Sequence, residues 1–113
     1  MNSITINIAK EYTKTPGGRY TKEGKFSGED FRNKLLKPKY LEAIKSEMGL
    51  TVVLDGGYGY SPSFLEEAFG GLVRDLHDER ILRIKIVSEE EPSQVDRIHK
   101  YITDALEDKN EKM

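Results

Sequence analysis

The stretch from Thr51 to Leu76 constrains the fold more than any other part of the chain. Thr51 to Leu54 is a short apolar run led by two valines, the pattern of a central strand buried on both faces. Asp55 ends it, and Gly56-Gly57-Tyr58-Gly59-Tyr60 turns the chain. A helix follows from Ser61-Pro62-Ser63, where proline suits the first helical position and either serine can cap. Phe64, Leu65, Ala68, Phe69, Leu72, Val73 and Leu76 then recur at the helical period and make one continuous apolar face.

The flanking sequence repeats this alternation. Ile4, Ile6 and Ile8 alternate with polar or small residues and predict a strand over 4–8. From Lys10 to Phe26 no helical period appears, and Arg19-Tyr20-Thr21 suits a short extra strand. So long a connection in a small domain is uncommon and often functional. Ser27 opens a helix with Asp30 in the capping-box position, and Phe31 and Leu35 lie on its apolar side. Pro38 restarts the helix, whose buried stripe is then Leu41, Ile44 and Met48, with Gly49 as the cap. A third strand spans 81–87, with Leu82, Ile84 and Ile86 sharing a face opposite Arg83 and Lys85. The last helix follows Glu89-Glu90-Glu91-Pro92 and carries Val95, Ile98, His99, Ile102, Ala105 and Leu106 on one side. Strands alternating with helices predict an α/β fold with a small, mainly parallel sheet of three to four strands and helices mostly packed on one face.

At 113 residues the chain is a single domain over 1–113, with a frayed tail from about 109. It holds no cysteine, which excludes disulfides, thiolate metal sites and thiol nucleophiles together. The longest apolar runs fall far short of the ~20 residues a membrane span needs. The uncharged, alternating N-terminus does not resemble a signal peptide. The expectation is a soluble, cytoplasmic protein. Eighteen basic against 20 acidic residues give a net charge of −2, which disfavours nucleic acid as a partner. Residues 10–39 nonetheless carry nine Lys/Arg against four Asp/Glu, and the remainder is acidic. That asymmetry suits an anionic ligand, an acidic partner or homo-oligomerisation through opposite patches, although lysines decorating a solvated loop also explain it.

Catalytic chemistry finds little support. His77 and His99 show no metal-ligand spacing, so no metal or cofactor is expected. There is no nucleophile-elbow motif, and Gly56-Gly57-Tyr58-Gly59 matches neither phosphate-binding glycine pattern. A non-enzymatic protein is therefore expected. Asp55 reads as a turn or capping residue. Gly70 and Gly71 each cost about 1 kcal/mol in a helix interior, which points to close packing there or to a flat patch for a partner.

Three stretches resemble the STAS-like domains of small, uncharacterised bacterial proteins: Thr15-Pro16-Gly17-Gly18-Arg19, the segment from Phe26 to Arg32, and the segment from Ser63 to Val73. More distantly the chain is similar to the STAS domains of anti-anti-sigma factors, which are non-enzymatic and bind kinase-type ATPases. In those domains a helix after a central strand opens with Asp-Ser-Ser-Gly-Leu, and its second serine is phosphorylated to release the partner. That motif falls on Ser61-Pro62-Ser63-Phe64-Leu65, with Ser61 in place of the aspartate and Phe64 in place of the glycine. The resemblance implies a regulatory binding module that docks on a histidine-kinase-type ATPase, with Ser63 as the phosphoacceptor candidate. Its surface would comprise Gly17, Gly18, Arg19, Asp55, Tyr58, Tyr60, Ser61, Ser63 and the exposed side of the following helix. The alternative is a sensor of a small anion or nucleotide, held at the Ser63 helix N-terminus and met by Arg19. Ser63 acting only as a helix cap, with Glu66 completing a capping box, would account for the residue without either role.

Overall fold

The computed structural model describes residues 2–111, with side chains described to residue 108. Strand β1 (Ser3–Asn7) leads into a single helical turn, α1 (Ile8–Glu11), capped by the Asn7 side chain. Helix α2 (residues 28–45), strand β2 (Gly49–Val53), helix α3 (residues 62–76), strand β3 (Lys85–Val87) and helix α4 (Ser93–Glu111) follow. The three strands form one parallel sheet in the order β1-β2-β3, so β2 is central. The expected loose tail from Lys109 falls largely outside the described residues; the helix itself is described to Glu111.

Register sets which side chains share a face. Ile4 pairs with Leu50, Ile6 with Val52, and Val52 with Ile86. Ile6, Leu50, Val52 and Ile86 are buried in one core with the apolar stripes of the helices. On the opposite face Ser3, Thr5 and Lys85 are exposed, while Thr51, Val53 and Val87 are half-buried. The helices therefore gather on one face, and β2 is buried on one side rather than two. No described helix is long and apolar enough to cross a membrane.

Several local expectations need correction. No strand forms at Arg19–Thr21; a 3-10 turn, Thr21–Glu23, occupies the place. Residues Glu79–Arg83 are also 3-10, because the Asp78 side chain caps the Arg80 amide and starts a tight turn. The third strand is thereby cut to three residues, and Leu82 is left exposed. Ser27 caps α2 as expected, but the Asp30 carboxylate accepts from the Tyr12 hydroxyl at 2.5 Å instead of closing a capping box. Gly49 begins β2, and the left-handed residue after α2 is Glu47 (φ 56°).

Helices α2 and α3 each contain a π turn, at Arg32–Leu36 and Glu66–Gly70 respectively. In α2 the π turn ends two residues before Pro38, which has no N–H and whose ring would crowd the carbonyl four residues back. The helix runs through the proline instead of restarting. One inserted residue rotates everything beyond it by about a quarter turn. The buried stripe accordingly runs Phe31, Leu36, Tyr40, Ala43, while Leu41 is exposed and Ile44 and Met48 are half-buried.

Candidate functional site

Parallel sheets collect ligands and partners beyond the C-terminal ends of their strands, and β2 delivers Asp55 to that edge. Its carboxylate is a cross-link: it accepts the Glu89 and Glu90 amides at 3.0 and 2.9 Å, and Glu90 in turn accepts the Gly56 amide at 2.9 Å. The turn after β2 is thus tied to the loop after β3. Gly56 (φ 98°) and Gly59 (φ 118°) adopt backbone angles that favour glycine, which explains two of the turn's three glycines.

The two tyrosines of the turn part company. Tyr60 donates to the Leu54 carbonyl at 2.9 Å and packs its ring on Phe64. Burial, with the nearby charges of Asp55 and Glu90, pushes the Tyr60 hydroxyl pKa up. Tyr58 is held through its backbone amide, which donates to the Lys14 carbonyl, and the residue is 84% exposed.

Ser61, not Ser63, caps α3. Its Oγ accepts the Phe64 amide at 3.1 Å and donates to the Gly17 carbonyl at 3.2 Å. Ser63 lies inside the first turn, half-buried, and its hydroxyl has no hydrogen-bond partner among the described residues. Glu66 completes no capping box; its carboxylate pairs with Arg19 and Arg74. Burial pushes the Glu66 pKa up, but the hydrogen bonds from Arg74 and Arg19 prevail and hold it below the usual value.

The 17–19 loop is drawn onto this edge by backbone bonds. Gly17 donates to Phe26, while the carbonyls of Gly18 and Arg19 accept the amides of Gly28 and Glu29. The Arg19 guanidinium reaches Glu66 at 2.5 Å and Glu67 at 3.2 Å. An anion sensor here would need an open guanidinium and open helix amides. Arg19 is instead ion-paired, and the Ser61 cap fills the helix terminus.

Gly17, Arg19, Ser61 and Ser63 therefore converge at the start of α3, with Asp55, Tyr58 and Tyr60 on the adjoining turn. Most of α3 is enclosed: every residue from 67 to 73 is buried. Its exposed side is a narrow strip around Ser63, Glu66 and Arg74, smaller than the helical docking face expected from the sequence. Gly70 and Gly71 serve the ion pairs beside this strip. A Cβ on Gly71 would collide with the Arg32 guanidinium, and one on Gly70 with the Glu66 carboxylate. Arg32 itself reaches the Glu67 carbonyl at 2.5 Å, the Glu67 carboxylate at 2.8 Å and Asp75 at 3.0 Å. Neither Arg32 nor Glu67 stood out in the sequence; the unexplained glycine pair was the one signal of them.

On the other side of Asp55 a cleft of about 360 Å³ opens between the Tyr58 turn and the 88–94 segment. No described group of three or more His, Asp or Glu residues is placed to hold a metal ion.

An open parallel α/β sheet, with a capped helix springing from the turn after its central strand, is consistent with a STAS-like fold. A family model described as a STAS-like domain of unknown function (DUF4325) matches residues 27–94, more than half of the chain, and the chain belongs to that family. No curated protein and no solved structure matches it.

Proposed function

We propose that the chain is a non-enzymatic regulatory module whose docking surface is the Tyr58–Ser63 turn flanked by the Gly17–Arg19 loop. Its partner is a protein, a histidine-kinase-type ATPase by analogy with the anti-anti-sigma factors it resembles. One observation carries this reading: Ser61 takes over the capping, so the Ser63 hydroxyl stays unengaged among the described residues at the position of the modified serine. Tyr58 stands in the same turn as an exposed aromatic anchor of the kind that dominates protein interfaces. A phosphate on Ser63 would add about −1.5 to −2 charges within one helical turn of the Arg19–Glu66–Arg74 cluster. It would compete with Glu66 for Arg19 and alter the surface that the partner meets.

The test is to express tagged protein in its native cells, then measure phosphate on Ser63 by mass spectrometry and identify any co-purifying ATPase. Phosphorylated Ser63 is expected, together with retention of the partner by Ser63→Ala and its loss from Ser63→Asp and Tyr58→Ala. Stability separates the serines: Ser61→Ala should cost about 1 kcal/mol as a lost cap, and Ser63→Ala less than about 0.5 kcal/mol. Unmodified Ser63 with partner capture indifferent to all three docking variants would sink the proposal.

A further inference from the structure

A second cleft, of about 400 Å³, opens at the N-terminal end of β2, away from the Tyr58 turn. The half-buried side chains of Ile44 and Met48 give it an apolar wall, and the buried Tyr40, Ala43, Leu50 and Ile84 lie beneath. Three charged residues share the lining: Glu47, Arg80 and Arg83. Arg80 is occupied, because its Nε and Nη2 donate to the Asp78 carboxylate at 3.0 and 2.9 Å. Glu47 and Arg83 are exposed, and among the described residues neither side chain has an ion pair or a hydrogen bond. Two opposite charges thus line one cleft without pairing with each other. Burial and the hydrogen bond to Asp78 push the Tyr40 hydroxyl pKa up, while the charges of Arg80 and Arg83 oppose them. The Arg83 charge is therefore felt at the cleft floor.

The backbone at Glu47 gives the second, independent observation. Helix α2 closes with the Glu47 amide donating to the Ile44 carbonyl at 3.2 Å and the Met48 amide to the Ala43 carbonyl at 2.8 Å. Glu47 holds the left-handed position of that closure (φ 56°), where glycine is the usual residue because a Cβ is strained there. No hydrogen bond or ion pair of its side chain offsets the strain among the described residues. Strain of this kind collects at functional sites. A lone anion in the cleft would meet Glu47 and a lone cation would meet Arg83, so the pair selects a ligand that carries both charges. The cleft volume falls within the range of about 300–1,000 Å³ usual for small-molecule sites.

We infer that this cleft binds a free α-amino acid with an apolar side chain, its ammonium at Glu47, its carboxylate at Arg83 and its side chain against Ile44 and Met48. The inference goes beyond the docking reading and does not depend on it, since the cleft and the Tyr58 turn lie at opposite ends of β2.

An amide-resolved NMR titration of the full chain tests it, with L-leucine, L-methionine and L-phenylalanine as probes. Among the controls, 4-methylpentanoate is leucine without its ammonium, isopentylamine is leucine without its carboxylate, and glycine keeps both charges without the side chain. Saturable shifts confined to 40–50 and 80–84 are expected with at least one probe, and none of comparable affinity with any control. Arg83→Gln and Glu47→Gln, both at exposed positions, should each weaken binding by about tenfold or more, as loss of one charge-assisted hydrogen bond implies. Glu47→Gly should weaken binding equally while raising the unliganded thermal midpoint, because glycine relieves the left-handed strain. No response to any of the three probes, equal binding of a control, unchanged affinity in either charge-removing variant, or a midpoint lowered by Glu47→Gly would overturn the inference.

Discussion

Arg32 carries a full charge into a nearly dry position, 8% exposed, where Glu67 and Asp75 receive it. Removing one partner of a buried pair leaves the other charge desolvated and alone, so Arg32→Ala should cost about 3–5 kcal/mol in denaturant titration. Gly71→Ala ought to stabilise a helix interior by roughly 0.5–1 kcal/mol, but its methyl group would enter the space of the Arg32 guanidinium. We expect it to destabilise the wild type and to become neutral or stabilising when combined with Arg32→Ala. A double-mutant cycle with no coupling between the two sites would refute this. Asp78 shows the same logic in a titratable form. The Arg80 guanidinium, outweighing the cost of desolvation, holds its carboxyl down at about 2, with the Tyr40 hydroxyl also donating to it at 2.9 Å. The ordinary aspartate value is about 3.9, so between the two the unfolded chain binds more protons than the folded one. Stability from this group is therefore present above about pH 4 and lost as the pH falls towards 2. Asp78→Asn should flatten the stability–pH curve across that window in equilibrium unfolding, and an unchanged slope would exclude the contribution.

Regular periods made the elements legible, and departures from regularity hid the rest. The apolar spacing of α3 placed all seven of its core residues correctly, and six of them are buried at 1% exposure or less. In α2 a 3.6 period taken across Pro38 selects Leu41, Ile44 and Met48. The π turn adds a residue, and Tyr40 and Ala43 take the inward places. No local propensity announces such an insertion; Pro38 is its one trace in the sequence. The 79–83 segment misled in the other direction. Leu82, Ile84 and Ile86 alternate as a strand would, yet Ile81 and Ile84 lie three apart and share the buried side of a 3-10 turn with its period of three. The two registers make opposite predictions. Ile81→Ala, at 0% exposure, should cost about 2–5 kcal/mol. Leu82→Ala, at 43% exposure, should fall below about 1 kcal/mol in the same denaturant titration. A larger loss at Leu82 would restore the longer strand.

Across the whole molecule, the unequal distribution of charge along the chain turns out to be partly internal. Arg19, Arg32 and Lys37, from the basic first third, reach Glu66, Glu67 and Asp75 on α3. Such long-range pairing leaves no periodic mark, which is why the basic loop was legible as a feature and its partners were not. The candidate edge was legible in part for a similar reason. Asp55, Tyr58 and Ser61 follow directly from a strand–turn–helix reading, whereas Glu89 and Glu90 join them only through the fold. The ion pairs flank one apolar core, where β1, β2 and β3 contribute a single face and α2, α3 and α4 close over it. Phe69 sits in that core at 0% exposure, on the central helix between the ion-paired flank and α4. Replacing it with alanine removes most of a buried aromatic side chain from a close-packed site, and Phe69→Ala should cost about 3–5 kcal/mol. Because the same core joins all three strands to all three long helices, the variant should still unfold in a single transition, with far-ultraviolet and tyrosine signals coinciding. A loss below about 1 kcal/mol, or two separated transitions, would show that α3 does not bind the sheet and helices into one cooperative unit.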